Sequence, residues 1–246
     1  MKTSRARNRV TLPRALSKLG YASRTQAFVF IDEGRVTVNG KAERNPHRWI
    51  NLESDRISVD NETVSKKEFR YLLVHKPVGV TTTHSDELGN PTIFDLIGDD
   101  AKGLSAAGRL DKDTSGLLLL TNDHQLANAL TDPDSGVTKT YRATLDRQFE
   151  PADHDAFERG VMIRVDGEDY RTKPSKLHRR SPATLELSIS EGKNRQVRKM
   201  FQALGYNVVR LERLSIGPLH LGSLKEKESR QLEKTELQSL RKSLLL

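Results

Sequence analysis

The sequence of 246 residues predicts an α+β protein with a small N-terminal domain followed by a larger domain, in which helices flank a central mixed or antiparallel sheet. Three observations predict this class. Short runs that alternate apolar with polar residues recur along the chain, as in strands of a half-exposed sheet. Runs with helical spacing lie between them. Positive charge is concentrated at one end: residues 1–70 hold 15 Lys+Arg and 8 Asp+Glu, a net of +7, whereas the whole chain carries +8.

The composition excludes several classes of protein. Cysteine is absent, which excludes disulfides, thiolate zinc sites and cysteine nucleophiles. No apolar run approaches the length of about 18 residues that a membrane helix needs, and the first 20 residues lack the apolar core of a signal peptide. We therefore expect a cytoplasmic protein with no membrane contact. The first 26 residues contain seven basic and no acidic side chains, which favours a module that binds a polyanion.

The N-terminal domain, expected over residues 8–60, begins with two predicted helices. Thr11 is in position to cap the first helix, with Pro13 in its first turn. Ser23 and Gln26 have the spacing of a capping box at the start of the second.

Two short strands are predicted to follow. RVTVNG (35–40) alternates and closes on an Asn-Gly hairpin turn, and a second strand over 56–59 turns at residues 60–61. Residues 61–70 are polar and unpatterned, so we expect them to be a linker. The cations that could line one face of this domain and bind phosphates are Arg14, Lys18, Arg24, Arg35 and Lys41. The alternative is an ordinary helical hairpin with solvated charges.

The larger domain is expected over residues 71–246. Its predicted strands are YLLVHKPVGV (71–80), GLLLLTN (116–122), TYRATL (140–145), ATLELSIS (183–190) and NVVRLERLSIG (207–217). Its predicted helices are HQLANAL (124–130), HDAFERG (154–160) and NRQVRKMFQALG (194–205), the last with Val197, Met200, Phe201 and Leu204 facing inward. The tail from Lys225 is predicted to be a charged helix or a frayed end.

The densest candidate for chemistry is GRLDKDTSGLLLLTND, residues 108–123. Asp111 lies in a turn just before a strand too apolar to be exposed, where a reactive side chain is supported rigidly. Arg109, two residues earlier in an extended segment, can face the same way. The alternative is an aspartate that only caps its own turn.

Other classes of enzyme are disfavoured. Asp111 and Asp113 could bind a divalent cation, but an all-protein oxygen site needs more carboxylates nearby. The motifs of serine hydrolases, nucleoside triphosphatases and dinucleotide-binding enzymes are absent from the sequence. We therefore expect a reaction without metal or cofactor, run by a carboxylate beside cations that hold a polyanion.

Two resemblances sharpen these expectations. Residues 10–58, with GYASR between the helices and EGRVTVNG after them, resemble the ribosomal-protein S-four type of RNA-binding domain. HKPVGVTTT, GRLDKDTSGLLLLTND, KTY (139–141) and EGKNRQVRKMFQALGYNVVRLERLSIG resemble the RsuA-type pseudouridine synthases, over nearly the whole chain. These enzymes isomerise uridine in ribosomal RNA. The resemblance implies an active site in a cleft across the central sheet.

The resemblance also implies roles for individual residues. Asp111 corresponds to the catalytic aspartate, Tyr141 to the aromatic residue that stacks on uracil, and Arg198 to the basic partner of the aspartate. The other residues expected to bind substrate or RNA are Arg109, Leu110, Lys139, Lys193, Asn194, Arg195, Gln196 and Val197. Without the resemblance, a core tyrosine and a solvated cation would be the simpler interpretations of Tyr141 and Arg198.

The function expected from the sequence is site-specific isomerisation of uridine to pseudouridine in ribosomal RNA, with large-subunit RNA favoured over small-subunit RNA. The partner is expected to be ribosomal RNA or a ribosomal-subunit precursor, and the protein a monomer. A flipped-out target uridine is expected, because the pocket cannot reach a stacked base. The alternatives are the same reaction on transfer RNA, a non-catalytic ribosome-associated RNA-binding factor, and a metal-dependent RNA phosphodiesterase.

Overall fold

A computed structural model describes residues 9–65 and 68–245 of the protein. The chain divides into two compact units. The first comprises the described residues up to Phe69 together with Asn122–Gln125, and the second comprises Arg70–Thr121 and the described residues from Leu126 onward. Within the described ranges, no helix is long and apolar enough to cross a membrane.

Residues 9–65, the part of the first unit that precedes residue 66 and is described, form two short helices and six short strands. In chain order these are β1 (Arg9–Thr11), α1 (Leu12–Lys18), α2 (Arg24–Asp32), β2 (Val36–Val38), β3 (Lys41–Ala42), β4 (Trp49–Asn51), β5 (Ile57–Val59) and β6 (Glu62–Thr63). Strands pair in the order β3-β2-β5-β6 in one antiparallel sheet, and β1 pairs with β4 in a separate antiparallel ribbon. Strand β6 lies within residues 61–70, which the sequence suggested as a linker.

Local sequence explains where these elements begin and turn. The Ser23 hydroxyl accepts a hydrogen bond from the backbone N–H of Gln26 (3.2 Å), and the Gln26 side chain accepts one from the backbone of Ser23 (3.1 Å), which confirms the predicted capping box. Asn39 and Gly40 have φ of 54° and 77°, as the predicted Asn-Gly hairpin requires. Gly34 ends α2, and a Cβ there would lie 2.4 Å from the Arg44 guanidinium.

The rest of the chain contains five helices and eleven strands in its described part. They are β7 (Tyr71–Lys76), α3 (Ile93–Ile97), β8 (Ser105–Ala106), β9 (Ser115–Thr121), α4 (His124–Thr131), β10 (Lys139–Leu145), α5 (His154–Arg159), β11 (Met162–Val165), β12 (Glu168–Arg171), β13 (Lys176–Ser181), β14 (Thr184–Ile189), α6 (Gln196–Ala203), β15 (Val208–Ile216), β16 (Leu219–His220), β17 (Ser229–Gln231) and α7 (Lys234–Ser243). The predicted tail is therefore a short strand followed by a helix.

The central sheet of the second unit is mixed, as predicted. Its order is β13-β14-β10-β15-β9-β7-β17, with β16 added to β15 and β8 added to β9. The pair β15–β9 is parallel, and the other pairs are antiparallel. Strands β11 and β12 form a separate hairpin, which the sequence did not predict.

Strand β15 joins the two halves of this sheet. It pairs with β10 on one side and with the beginning of β9 on the other. Gly116 allows the parallel contact: its φ is +111°, and a Cβ there would lie 2.3 Å from the carbonyl oxygen of Arg213. The Arg213 side chain then donates to the carbonyl of Leu117 (2.8 Å). Strand β15 thus brings the start of β9 to within one strand of β10, where the two halves of the candidate site meet.

Two apolar cores hold the second unit together. One forms around the aromatic residues Phe149, Phe157, Phe201 and Tyr206 and takes in the inner face of α6. The predicted inward positions of α6 are confirmed, with Val197, Met200 and Phe201 buried and Leu204 packed against them. The other core packs α3 against β7 and β9. Together they fix α6 and the N-terminal end of β9 as rigid supports.

Candidate active site

The loop that carries Asp111 is fixed by the segment that follows β7. The hydroxyl of buried Thr82 donates to the carbonyl of Leu110 (2.7 Å) and accepts from its N–H (3.2 Å). The Gly79 N–H donates to the carbonyl of Lys112 (2.8 Å). Asp111 itself accepts a backbone hydrogen bond from Thr114 (3.0 Å), which closes the turn into β9. The loop therefore presents the Asp111 side chain from a clamped backbone.

The Asp111 carboxylate lies at the edge of a cavity of about 710 Å³. Its side chain is 39% exposed, and Arg195 Nη1 is 3.8 Å from Asp111 Oδ2. A cavity of this size lies within the range of small-molecule sites. The carboxylate is thus open to the cavity and has a cation near it.

Most of the predicted substrate-binding residues line this cavity. They are Arg109, Leu110, Asp111, Lys139, Tyr141, Lys193, Asn194, Arg195, Gln196 and Val197. Arg198 is not among the described residues that line the cavity. The structure therefore brings together side chains from the Asp111 loop, β10 and the start of α6, which are distant in sequence.

Tyr141 and Lys139 come from the same face of β10. They are two residues apart on one strand, so their side chains point the same way. Tyr141 is half-buried and packs against the aromatic core, while it also lines the cavity. Burial lowers the pKa of Lys139, and the nearby Arg213 guanidinium lowers it further. The aromatic ring and the lysine form one wall of the cavity.

Arg195 is held by Asp113. Its guanidinium donates two hydrogen bonds to the Asp113 carboxylate, at 3.0 and 2.7 Å. The backbone of Arg195 is left-handed, with φ of 51°, at the N-cap of α6. Hydrogen bonds from Arg195, with the charge of Arg198, keep the pKa of Asp113 below its usual value. Asp113 is thus ionised and fixes the cation that lies beside Asp111.

Arg198 is bound to the Asp113 end of the loop. Its guanidinium donates to the carbonyls of Asp113 (2.8 Å) and Val208 (2.7 Å), and its Nε lies 3.3 Å from Asp113 Oδ2. Burial lowers its pKa, and the charges of Asp113 and Asp111 oppose that shift. The guanidinium within ion-pair distance of Asp111 is that of Arg195. Arg198 instead acts on Asp111 through its hydrogen bond to the loop backbone and through a longer-range charge interaction.

The fully buried side chain of Lys76 supports the turn that holds the Asp111 loop. The sequence did not identify this residue as part of the site. Lys76 donates to the carbonyls of Val80 (2.6 Å) and Pro77 (3.0 Å), at the turn that clamps the Asp111 loop. Burial lowers its pKa to about 8, against the opposing charges of Asp111 and Asp113. A lysine at the end of a mostly apolar strand, directly before proline, was the available signal.

Glu191 organises the segment that leads into α6, and sequence reasoning did not single it out either. This buried carboxylate accepts hydrogen bonds from the Tyr170 hydroxyl (2.7 Å), the Lys173 N–H (2.9 Å) and the Gln196 side chain. Gln196 in turn accepts from the Lys193 N–H (2.9 Å). The hydrogen bond to Glu191 raises the pKa of Tyr170. The segment before α6 is therefore preorganised.

The predicted phosphate-binding cations of the first unit differ in their exposure and in whether they form ion pairs. Arg14, Arg24 and Lys41 are exposed and Lys18 is half-buried. Arg35 is paired with Asp60 (2.6 Å) and Glu33 (3.1 Å) and lies over the Phe30 ring. For the four others, no ion pair is found within residues 9–65 and 68–245. Four cations are therefore available to an external anion, and Arg35 is already engaged.

The arrangement suits a reaction at a carboxylate. In the part of the chain that the structure describes, no group of three or more His, Cys, Asp or Glu side chains could hold a metal ion. A clamped aspartate faces an aromatic ring and several cations across one cavity. Such a site can bind a planar anionic or phosphorylated substrate and attack it with the carboxylate.

Two family models match this chain. One, described as RNA pseudouridylate synthase, matches residues 70–203. The other, described as S4 domain, matches residues 10–48. The first match spans the Asp111 loop, β10 and α6.

Individual proteins match over nearly the whole chain. A Bacillus subtilis (strain 168) protein named ribosomal large subunit pseudouridine synthase B is 35% identical over 237 residues, covering 94% of this chain and 95% of that protein. A Pasteurella multocida (strain Pm70) protein named ribosomal small subunit pseudouridine synthase A is 36% identical over 223 residues, covering 89% and 94%. A solved structure titled as a pseudouridylate synthase superimposes with a TM-score of 0.69 at 35% identity, covering 94% of this chain and 99% of that one.

Proposed function

The chain belongs to the RNA pseudouridylate synthase family, and from this premise we propose that it converts specific uridines of ribosomal RNA to pseudouridine. The observation that carries the proposal is that Asp111 and Tyr141, from distant parts of the sequence, line one cavity rimmed by cations. Full-length similarity to enzymes named for ribosomal subunits supports ribosomal RNA as the substrate.

Asp111 is proposed as the group that reacts with the target nucleotide. Isomerisation breaks the bond between ribose and the uracil nitrogen, turns the base, and rejoins it through carbon. An ionised carboxylate assists by attacking the anomeric carbon, by attacking the ring, or by removing the proton that leads to a glycal. Each route needs Asp111 ionised and unobstructed. Its partial exposure to the cavity and the Arg195 guanidinium at 3.8 Å support that state.

Tyr141 is proposed to hold the uracil and to assist at the end of the reaction. Its ring offers a flat apolar face, and its hydroxyl can reach the ring proton that must leave. Arg198 and Arg195 are proposed to set the position of the Asp111 loop through Asp113. A bidentate guanidinium fixes orientation more tightly than an ammonium can.

The target uridine is proposed to be flipped out of the RNA. Unstacking costs a few kcal/mol, which contacts to the RNA backbone must offset. Lys139, Lys193 and Arg195 lie at the cavity and supply such contacts. A loop or bulge suits this arrangement better than a duplex, because proteins bind RNA mainly through shape and splayed bases.

The first unit is proposed to be an RNA-binding domain over residues 8–60, joined through residues 61–70 to a catalytic domain over 71–246. Arg14, Lys18, Arg24 and Lys41 are its proposed phosphate contacts, and Arg35, already paired, contributes less. A tethered second contact increases affinity without any change in the active site.

Large-subunit RNA is the proposed substrate. This preference rests on the family resemblance of the sequence alone, since proteins named for either ribosomal subunit match this chain at 33–36% identity. We still predict that the protein is a cytoplasmic monomer that acts on ribosomal RNA or on a precursor of a ribosomal subunit.

Pseudouridine mapping at nucleotide resolution tests the proposal. Unmodified large- and small-subunit RNA, partly assembled subunits and transfer RNA are each incubated with wild-type protein and with the Asp111→Asn variant. We expect one new pseudouridine in large-subunit RNA with the wild type and none with the variant. Modification confined to transfer RNA, or no modification of any of these substrates, would overturn the proposed substrate or the proposed activity respectively.

A further inference from the structure

The ribbon formed by β1 and β4 has one buried and one outward face. Val10 and Ile50 point inward and are 6% and 0% exposed. Trp49 pairs opposite Thr11, and its side chain is on the outward face, 64% exposed. Tryptophan is usually largely buried, so a ring this exposed on a short rigid ribbon is suited to contact a partner.

Two exposed cations, Arg9 and Arg14, belong to the elements next to this ring. Arg9 is the diagonal neighbour of Trp49 across the ribbon, at a separation that a long side chain can span. The Leu12 N–H donates to the carbonyl of Arg48 (2.9 Å), which brings the start of α1, with exposed Arg14, next to β4. In sequence, Arg9 follows a basic segment that has no acidic residue.

The nearby carboxylates are already engaged within the unit. Glu43 pairs with Arg48 at 2.6 Å. Asp55 accepts hydrogen bonds from the Asn51 N–H (2.8 Å) and from the Asn39 side chain (2.9 Å), which lower its pKa. Asp55 stays ionised, but residues 9–55 hold 8 Lys+Arg and 5 Asp+Glu, a net charge of +3, so this part of the unit is complementary to a polyanion rather than to a basic protein.

We propose that Trp49 stacks on an unpaired base of the RNA, while Arg9 and Arg14 hold the phosphates on either side of that nucleotide. A flat aromatic ring between exposed cations is the arrangement with which proteins bind single-stranded RNA, because every base has a face to stack and every nucleotide a phosphate. A duplex offers no free base face, so the site selects a loop or a single-stranded flank. This inference rests on the proposed function in so far as RNA is the ligand, and it adds a specific site to it.

Trp49 is the only tryptophan of the chain, so its fluorescence reports this site alone. The full-length Asp111→Asn protein is titrated with an unstructured RNA of about ten nucleotides, and binding is followed in parallel by the anisotropy of a labelled copy. We expect tryptophan emission to be quenched with the same midpoint as the anisotropy, and less by a duplex of equal length. RNA binding that leaves the emission unchanged would overturn the inference.

Substitutions separate stacking from folding. Trp49→Ala is expected to weaken binding of the single-stranded RNA about tenfold, whereas Trp49→Phe, which keeps an aromatic ring, stays within about threefold of wild type. Phe28→Ala, at a 46% exposed aromatic residue of the same unit, is the matched control and should bind as wild type. Equal affinity for Trp49→Ala and wild type, with both proteins folded, contradicts the inference.

The two proposals fail in different ways. If wild-type protein makes pseudouridine but Trp49→Ala binds RNA normally, the stacking site is wrong and the enzyme assignment stands. If RNA quenches Trp49 but no pseudouridine forms on any substrate, the stacking site stands and the proposed function fails. An emission change with ribosomal proteins and none with RNA would assign the surface to a protein partner and overturn the inference.

Discussion

The two units of the molecule use their cations in opposite ways. In the second unit, Arg195 and Arg198 are bound to Asp113, and Lys76 is fully buried beneath the Asp111 loop. In the first unit, cations such as Arg14 and Arg24 are exposed, with no ion pair found in the described part of the chain.

The difference separates two physical tasks. Paired and buried cations fix the geometry of a reacting group, and salt screens them little. Exposed cations release counterions when they bind phosphates, so their contribution falls steeply as salt rises. We therefore expect changes in the second unit to alter the rate of reaction, and changes in the first to alter affinity and its salt dependence.

The largest effect is expected at Asp111. Asp111→Asn keeps the shape of the side chain but removes the nucleophile, so the single-turnover rate should fall by at least about 10⁴-fold. RNA affinity should stay within about tenfold, because few phosphates contact this residue. Rapid-quench kinetics and a filter-binding titration measure the two quantities. A parallel loss of affinity would show that Asp111 is structural.

Asp113→Asn tests whether the arginine pairs position the loop. Removal of the charge releases Arg195 and weakens the contact to Arg198, so the Asp111 loop should shift and the single-turnover rate at saturating RNA should fall about 100-fold. Affinity should not fall, since a negative charge near the RNA is lost. A wild-type rate in a variant of normal thermal stability would mean that Asp113 does not position Asp111.

The exposed cations of the first unit should give a smaller effect of a different kind. Combined Arg14→Gln, Lys18→Gln and Arg24→Gln substitutions should weaken RNA binding about tenfold at moderate salt. The slope of log K against log salt should become shallower by about 2, since each lost phosphate contact contributes about 0.7 for a single strand. The rate at saturating RNA should not change.

Arg35→Gln is the matched control for the triple variant. Arg35 is already paired with Asp60 and Glu33, so its loss should change the salt slope less than the average of the three exposed cations. An equal or greater change would show that Arg35 leaves its carboxylates to bind RNA. An unchanged slope in the triple variant would contradict the assignment of this unit to RNA binding.

The last expected effect concerns the stability of the fold rather than catalysis or RNA binding, and it comes from Lys76. Its pKa is lowered from 10.5 to about 8, so between these values the unfolded chain binds a proton that the folded protein does not. The free energy of unfolding of the wild type, relative to Lys76→Met, should therefore rise from pH 8 to pH 10.5. We expect a rise of about 2 kcal/mol, which is below the full value that 1.36 kcal/mol per pKa unit would give.

Denaturant titrations of both proteins at several pH values within this window measure the difference. The comparison with Lys76→Met cancels the contribution of the other titrating groups. A difference that does not change with pH would show that Lys76 stays protonated in the folded protein throughout.

Elements specified by local sequence were predictable. The capping box at Ser23, the Asn39–Gly40 turn and the inner face of α6 each depend on residues a few positions apart, so pattern and conformational preference were enough. The hairpin of β11 and β12 was missed although Asp166-Gly167 is a hairpin-turn signal, because the second strand, EDYR, is charged and has no alternating apolar pattern.

The ionic partners in the candidate site were not predictable from local sequence. Arg195 and Asp113 are 82 positions apart, and only the packing of α6 against the sheet decides which carboxylate each arginine meets. The family resemblance named Asp111, Tyr141 and Arg198, but the roles of Glu191 and Lys76 emerged only from the hydrogen bonds that they make in the fold.

The position of strand β15 in the sheet affects when, during synthesis and folding, the enzyme becomes active. It joins β10, which carries Tyr141, to β9, which follows Asp111, and its contact to Leu117 spans 96 positions of the chain. Pairings this distant form late and slowly in folding. During synthesis, both halves of the sheet leave the ribosome before the strand that unites them. A nascent chain would therefore be without a complete active site until Val208–Ile216 have emerged.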